Sequence, residues 1–83
     1  MNPMQALDKV ISAVGQSELA RRVARIKDNP KIRAAHVWNW RNRDEQVPAD
    51  MVLAVEQVAI EAGCEVTRHE IRPDLYPKER VES

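Results

Sequence analysis

The chain is all-α, a small bundle of four to five helices with an extended C-terminal tail, and three observations predict it. Apolar residues recur at intervals of three and four along successive stretches. Aromatics make up 4% of the chain with no Phe, and the 43% hydrophobic content comes mainly from Ala, Val, Leu, Ile and Met, which suits helices better than a sheet sandwich. Gly and Pro fall at the edges of the periodic stretches, where helices start and stop. With 83 residues the chain can bury only one modest core. We expect one domain over residues 1–77 and a flexible, charged end at 78–83.

In the first stretch Met4, Leu7, Val10, Ile11 and Val14 keep helical spacing behind Pro3, and Gly15 closes it. Ser17 and Glu18 open a second, in which Leu19, Ala20, Val23 and Ile26 hold the period until Asp28-Asn29-Pro30 supplies turn chemistry. Beyond that turn Ile32, Val37 and Trp40 mark the buried side of a third helix, with Arg33, His36, Asn39 and Arg43 on its other sides. Pro48 and Asp50 in a first turn, then Met51, Val52, Val55, Val58, Ala59 and Ala62 up to Gly63, give a fourth. After it come a short alternating piece around Val66 and the sequence Arg72-Pro73-Asp74-Leu75-Tyr76-Pro77.

The net charge of zero hides an asymmetry. Up to Arg43 nine Lys/Arg face three Asp/Glu, a net +6, and beyond it four face ten, a net −6. One face suited to phosphates and another suited to water or a basic partner is what such a division implies. Single Cys64 cannot form an intramolecular disulfide, which points to a reducing cytoplasm. No stretch approaches the ~20 apolar residues that span a bilayer, and the N-terminus lacks the pattern of a signal peptide, so we expect a soluble, unprocessed protein with no membrane partner. His36, His69 and Cys64 lack ligand spacing, no Gly-rich phosphate loop occurs, and Asp44 and Glu45 precede Pro48 as solvated turn residues. We therefore expect no enzyme, no metal and no cofactor.

The segment Gln16-Ser17-Glu18-Leu19-Ala20-Arg21-Arg22-Val23 resembles the first helix of a helix-turn-helix in phage repressors and Cro-like proteins. Leu19 and Val23 anchor it, Ala20 must be small for a second helix to cross closely, and Gln16 stands at the helix start, where an amide and free backbone N–H groups can hold a phosphate. The third helix then takes the reading position. Arg33 can chelate guanine, Asn39 can pair with adenine, and Ala34 and Ala35 can lie against a thymine methyl. His36 either donates to a base or phosphate or packs half-buried against the second helix, and Trp38 is interface filler or a contact. Ser17, Arg25, Lys27, Lys31, Arg41 and Arg43, with Gln16, are the candidate phosphate contacts.

Taken over nearly its whole length, the chain resembles the YdaS family of Cro-like prophage regulators, described as the antitoxin of the YdaS and YdaT pair. The resemblance rests on Ala13-Val14-Gly15, Ser17-Glu18-Leu19-Ala20-Arg21-Arg22, His36-Val37-Trp38-Asn39-Trp40 and Val47-Pro48-Ala49-Asp50. It rests above all on Val66-Thr67-Arg68-His69-Glu70-Ile71-Arg72-Pro73-Asp74-Leu75-Tyr76-Pro77. It implies a lambda repressor/Cro-like fold, a prophage setting, transcriptional control of its own or a neighbouring promoter, a double-stranded operator, a bacterial cytoplasmic and nucleoid location, and a toxin as possible partner. Homodimers or higher homo-oligomers follow from two-fold operators. One departure is the connection Arg25 to Lys31, longer than the family's turn by about two helical turns. Either the second helix runs on through Ile26 and Lys27, or Asp28-Asn29-Pro30 caps a separate arm. The alternative function is a protein-interaction module that binds a partner through its acidic half, with Glu56 and Glu61 on the fourth helix. Leu75 and Tyr76 either fold back over the first or fourth helix or meet that partner.

Overall fold

The structure is a computed structural model and describes residues 3–77; the expected flexible end at 78–83 lies outside the described residues. Its elements are α1 (Pro3–Val14), α2 (Gln16–Lys27), α3 (Ala34–Asn42), a 3-10 turn (Ala49–Met51), α4 (Val52–Glu61) and α5 (Arg68–Ile71), with no strand among the described residues. All of them close on one core. Leu7, Val10, Leu19, Val23, Val37, Val52, Val55, Val58, Val66 and Ile71 are fully buried in it, with Trp40 and the small Ala20 and Ala54 between the helices. The pair α2 and α3 forms the helix-turn-helix unit of the bundle and is its most closely packed helix pair.

The joint between α1 and α2 is Gly15 alone. Its N–H donates to the Ile11 carbonyl at 2.7 Å, and its own carbonyl accepts from Leu19 N–H at 2.9 Å, so one residue both ends α1 and starts α2. That double duty needs φ 90° and ψ 152°, a backbone region comfortable only for glycine.

Helix α2 runs on through Lys27, so the first of the two outcomes for the long connection holds. Asp28 takes the left-handed conformation with φ 54°, its N–H donating to the Arg25 carbonyl at 3.1 Å and Asn29 N–H to the Ala24 carbonyl at 2.9 Å. This is a Schellman closure with Asp where Gly is usual. Asn29 Oδ1 then accepts Lys31 N–H at 3.0 Å across Pro30, and Ile32 N–H reaches back to the Asn29 carbonyl at 3.2 Å. The connection is an Asx turn with Ile32 buried beneath it, an ordered structure rather than slack chain.

Four expectations shift. Ile26 is exposed, because the run-on of α2 carries it past the core. Arg33 is the extended residue before α3 and not part of the helix. Pro48 precedes a 3-10 turn, and α4 begins at Val52. The piece around Val66 does not form a strand: Cys64–Thr67 is irregular chain, tightened where Val66 N–H donates to the Cys64 carbonyl at 2.9 Å, and it leads into α5, where Glu70 Oε1 accepts Thr67 N–H at 3.0 Å in a capping box.

Nearly every side chain of the last segment fastens it down. Arg68 donates from both its backbone N–H (2.8 Å) and its guanidinium to the Glu56 carboxylate of α4, and stands 5.8 Å from the Tyr76 ring centre. Arg72 is held between Asp74 and the Val47 carbonyl, 2.7 Å from each, and Tyr76 packs against the core while Leu75 stays exposed. The stretch that most specifically carries the family resemblance therefore works as a clasp, packed against α1 and α4 and tied to Glu56 and to the Val47 carbonyl.

A Cβ on residue 15 meets nothing within 4 Å, so Gly15→Ala tests the backbone alone. We predict a stability loss of about 1–3 kcal/mol, seen as a lowered melting temperature in circular dichroism with helix content retained. An unchanged melting temperature means that the joint does not hold this conformation.

Candidate functional site

Helix α3 has nine residues and turns Val37 and Trp40 into the core. The opposite side carries Ala35, Trp38, Asn39 and Asn42, which at spacings of three, four and seven form one stripe along the helix. Ala35, Trp38 and Asn42 are exposed and Asn39 is half-buried. Trp38, 51% exposed, is the largest side chain on that face, and Asn42 Nδ2 donates to the Trp38 carbonyl at 3.1 Å. The two amides offer paired donors and acceptors, and the indole offers a flat apolar surface. Trp38 and Asn42 complete a surface that the sequence reading built from Arg33, Ala34, Ala35, His36 and Asn39. The signal for both was present: counting three and seven on from Ala35 reaches them.

The start of α3 is built from its neighbours. Gln16, the first residue of α2, donates through Nε2 to the Ala34 carbonyl at 3.2 Å and so ties the beginnings of the two helices together. Arg33 N–H donates to His36 Nδ1 at 2.9 Å, and His36 N–H donates back to the Arg33 carbonyl at 2.9 Å. Ala34 is half-buried, while His36 and Ser17 are exposed.

The cations divide into two groups. Arg21 and Arg22 both bind Glu18, with contacts of 2.7 Å, and Arg41 forms a two-pronged pair with Asp8 of α1 at 2.5 and 2.9 Å. Arg41, expected among the phosphate contacts, is thus already a tie between α1 and α3. Arg25, Lys27, Lys31, Arg33 and Arg43 are exposed and have no side-chain ion pair among the described residues. Four of these lie between the last turn of α2 and the first residue of α3, and Arg43 lies at the far end of α3. Among the described residues no group of His, Cys, Asp and Glu comes together as a metal site. No helix there is long and apolar enough to cross a membrane.

Fold and surface define a small helix-turn-helix bundle in which the second helix of the unit has an exposed outer face bordered by cations that have no ion pair among the described residues. The chain belongs to the family described as "Bacterial toxin YdaS", whose model matches residues 7–80. That description names a toxin, where the resemblance drawn from the sequence implied an antitoxin. Neither the curated proteins nor the solved structures give a match.

Two arginine partners hold the Glu18 carboxyl down at about 2, well below its ordinary 4.5, chiefly through the hydrogen bonds from Arg21 and Arg22. A lowered folded-state value means that the unfolded chain binds more protons in that interval, so the contribution is complete above 4.5 and is lost as the pH falls towards 2. We predict that Glu18→Gln flattens the fall in melting temperature between pH 4.5 and 2. Parallel curves for variant and wild type count against these pairs in solution.

Proposed function

We propose that the protein is a sequence-specific DNA-binding regulator of transcription, acting on its own or a neighbouring prophage promoter, with α3 in the major groove. The observation that carries this reading is the partition of cations around α3. Those on the body of α2 and the inner side of α3 are ion-paired, Arg21 and Arg22 sharing Glu18 and Arg41 holding Asp8, whereas Arg25, Lys27, Lys31, Arg33 and Arg43 have no such pair among the described residues and are available to an outside partner at both ends of the Ala35–Asn42 stripe. Phosphates on either side of a groove are separated by a helix lying in it, so unpaired cations before and after a reading helix suit a duplex. Asn39 and Asn42 have the donor and acceptor set that matches adenine, and Ala35 and Trp38 can lie against thymine methyls. Gln16 orients the first turn of α3 from the α2 side. Two copies on a two-fold operator multiply the few base contacts that one nine-residue helix can make. The family's description as a toxin leaves room for a toxin or antitoxin partner, which on this reading would act by changing how the protein occupies DNA.

A second reading has one observation in its favour. The outer side of α4 exposes Leu53 at 48% and Ile60 at 67%, with Gln57 between them, an apolar strip suited to a protein partner or a second protomer.

The experiment is a salt titration of binding to the DNA upstream of the gene, against a scrambled duplex of equal length. We expect a preference of ~10³ or more at moderate salt and a linear fall of log affinity with log salt. Asn39→Ala should cost about 1–3 kcal/mol on the preferred duplex and relax base choice, while Lys31→Ala should weaken both duplexes alike. Equal, weak binding to both duplexes transfers the search for function to Leu53 and Ile60.

A further inference from the structure

The two histidines are held by their ring Nδ1 atoms in opposite senses. At His36, Nδ1 stands 2.9 Å from the Arg33 backbone N–H. A backbone N–H only donates, so this Nδ1 carries no proton and the neutral ring bears it on Nε2. At His69, Nδ1 stands 2.9 Å from the Tyr76 carbonyl. A carbonyl only accepts, so here Nδ1 carries a proton, and in the neutral tautomer Nε2 is bare. His36 is exposed at the third position of α3, one turn before Asn39 and Trp40, and its Nε2 has no partner within the described residues.

We infer that the backbone of the α3 start locks His36 as an Nε2–H donor, and that His36 is a specificity residue that reads an acceptor on a base edge. The donor role rests on the DNA-binding reading above; the locked tautomer does not. Locked this way, the ring donates to guanine O6 or N7, to adenine N7 or to thymine O4 and rejects cytosine, whose major-groove edge offers only an amino donor, since two donors cannot pair. A free histidine would satisfy either kind of edge by moving its proton from one nitrogen to the other. The helix cap removes that freedom and turns an ambiguous side chain into a one-way reader. The preference is then set by the peptide geometry between Arg33 and His36, away from the contact itself.

Nitrogen-15 NMR of the imidazoles in mildly alkaline buffer, where histidines are neutral, reads the tautomers in the free protein. We expect a protonated Nε2 at His36 and a protonated Nδ1 at His69, the second serving as an internal reference for the first. Base preference is then measured by selection from randomised duplexes with wild type, His36→Gln and His36→Glu. Both substitutes can accept the Arg33 N–H as capping-box side chains, so both keep α3 and the melting temperature. Glutamine still presents a donor and should hold the wild-type preference at one base position, whereas glutamate presents only acceptors and should lose about tenfold there. A proton on Nδ1 of His36, or a His36→Glu profile equal to that of wild type, overturns the inference. Absence of sequence-specific binding by the wild type, with Nε2–H still found at His36, instead removes the DNA-binding reading and the donor role with it.

Discussion

The seating of α3 depends on two side chains. A nine-residue helix is far too short to persist by its own hydrogen bonds, and its only buried residues are Val37 and Trp40. Trp40 brings most of the area that holds α3 down, into a core otherwise made of Val, Leu, Ile and Ala. That core is rich in valine, a residue whose stiff branched side chain does not favour helix by itself, so the helices are held more by one another than by local preference. Ala20 and Ala54, almost fully buried in the same core, keep α2 and α4 thin where they enter it. Loss of bulk at Val37 or Trp40 would unseat α3 and, with it, everything on its outer face.

Polar ties at both ends then fix what burial leaves loose. A hydrophobic seat stops α3 from leaving but does little against rotation or sliding, because apolar contact has no strong directionality. Gln16 at the first turn and Asp8 with Arg41 at the last turn supply direction, one from α2 and one from α1. The same pairs decide which charges remain for outside work. Exposed ion pairs add little to stability, so the Glu18 and Asp8 pairs matter more for where they leave positive charge than for how tightly they hold the fold. What they leave is the rim of α3.

Most of the fold was legible because its signals are local. Leu7, Val10, Leu19, Val23, Val37, Val55 and Val58 follow the 3.6-residue period, and Gly15 and Gly63 mark stops that need positive φ. Helix α5 was missed although its signal is a Thr67 to Glu70 capping box, because a four-residue helix has no room for a period and the alternation of apolar residues around Val66 competed with it. Ile26 was misplaced for the opposite reason: its period continues that of Leu19 and Val23, and only the end of the core shows that nothing is left there to cover it. Leu75 and Tyr76, adjacent in sequence, part company in the same way, since only Tyr76 reaches the core.

The surface around α3 was legible in residue type and less so in role. Periodicity tells which side of a helix is buried, and the outer stripe follows from it; it leaves Trp38 open between filler and contact, and the structure shows it exposed on the stripe with Asn39. Roles that depend on a partner distant in sequence could not be read. Arg41 looks like any cation at a helix end until the fold brings Asp8, thirty-three positions away, against it. His36 is a different case, since its partner Arg33 is only three residues away. What hides it is chemistry rather than distance: an imidazole is an uncommon capping side chain, and only the geometry of the N–H to Nδ1 contact tells which nitrogen is left to face the outside. A helix start that must satisfy its own backbone donors thereby determines the chemistry its side chain can offer to a partner.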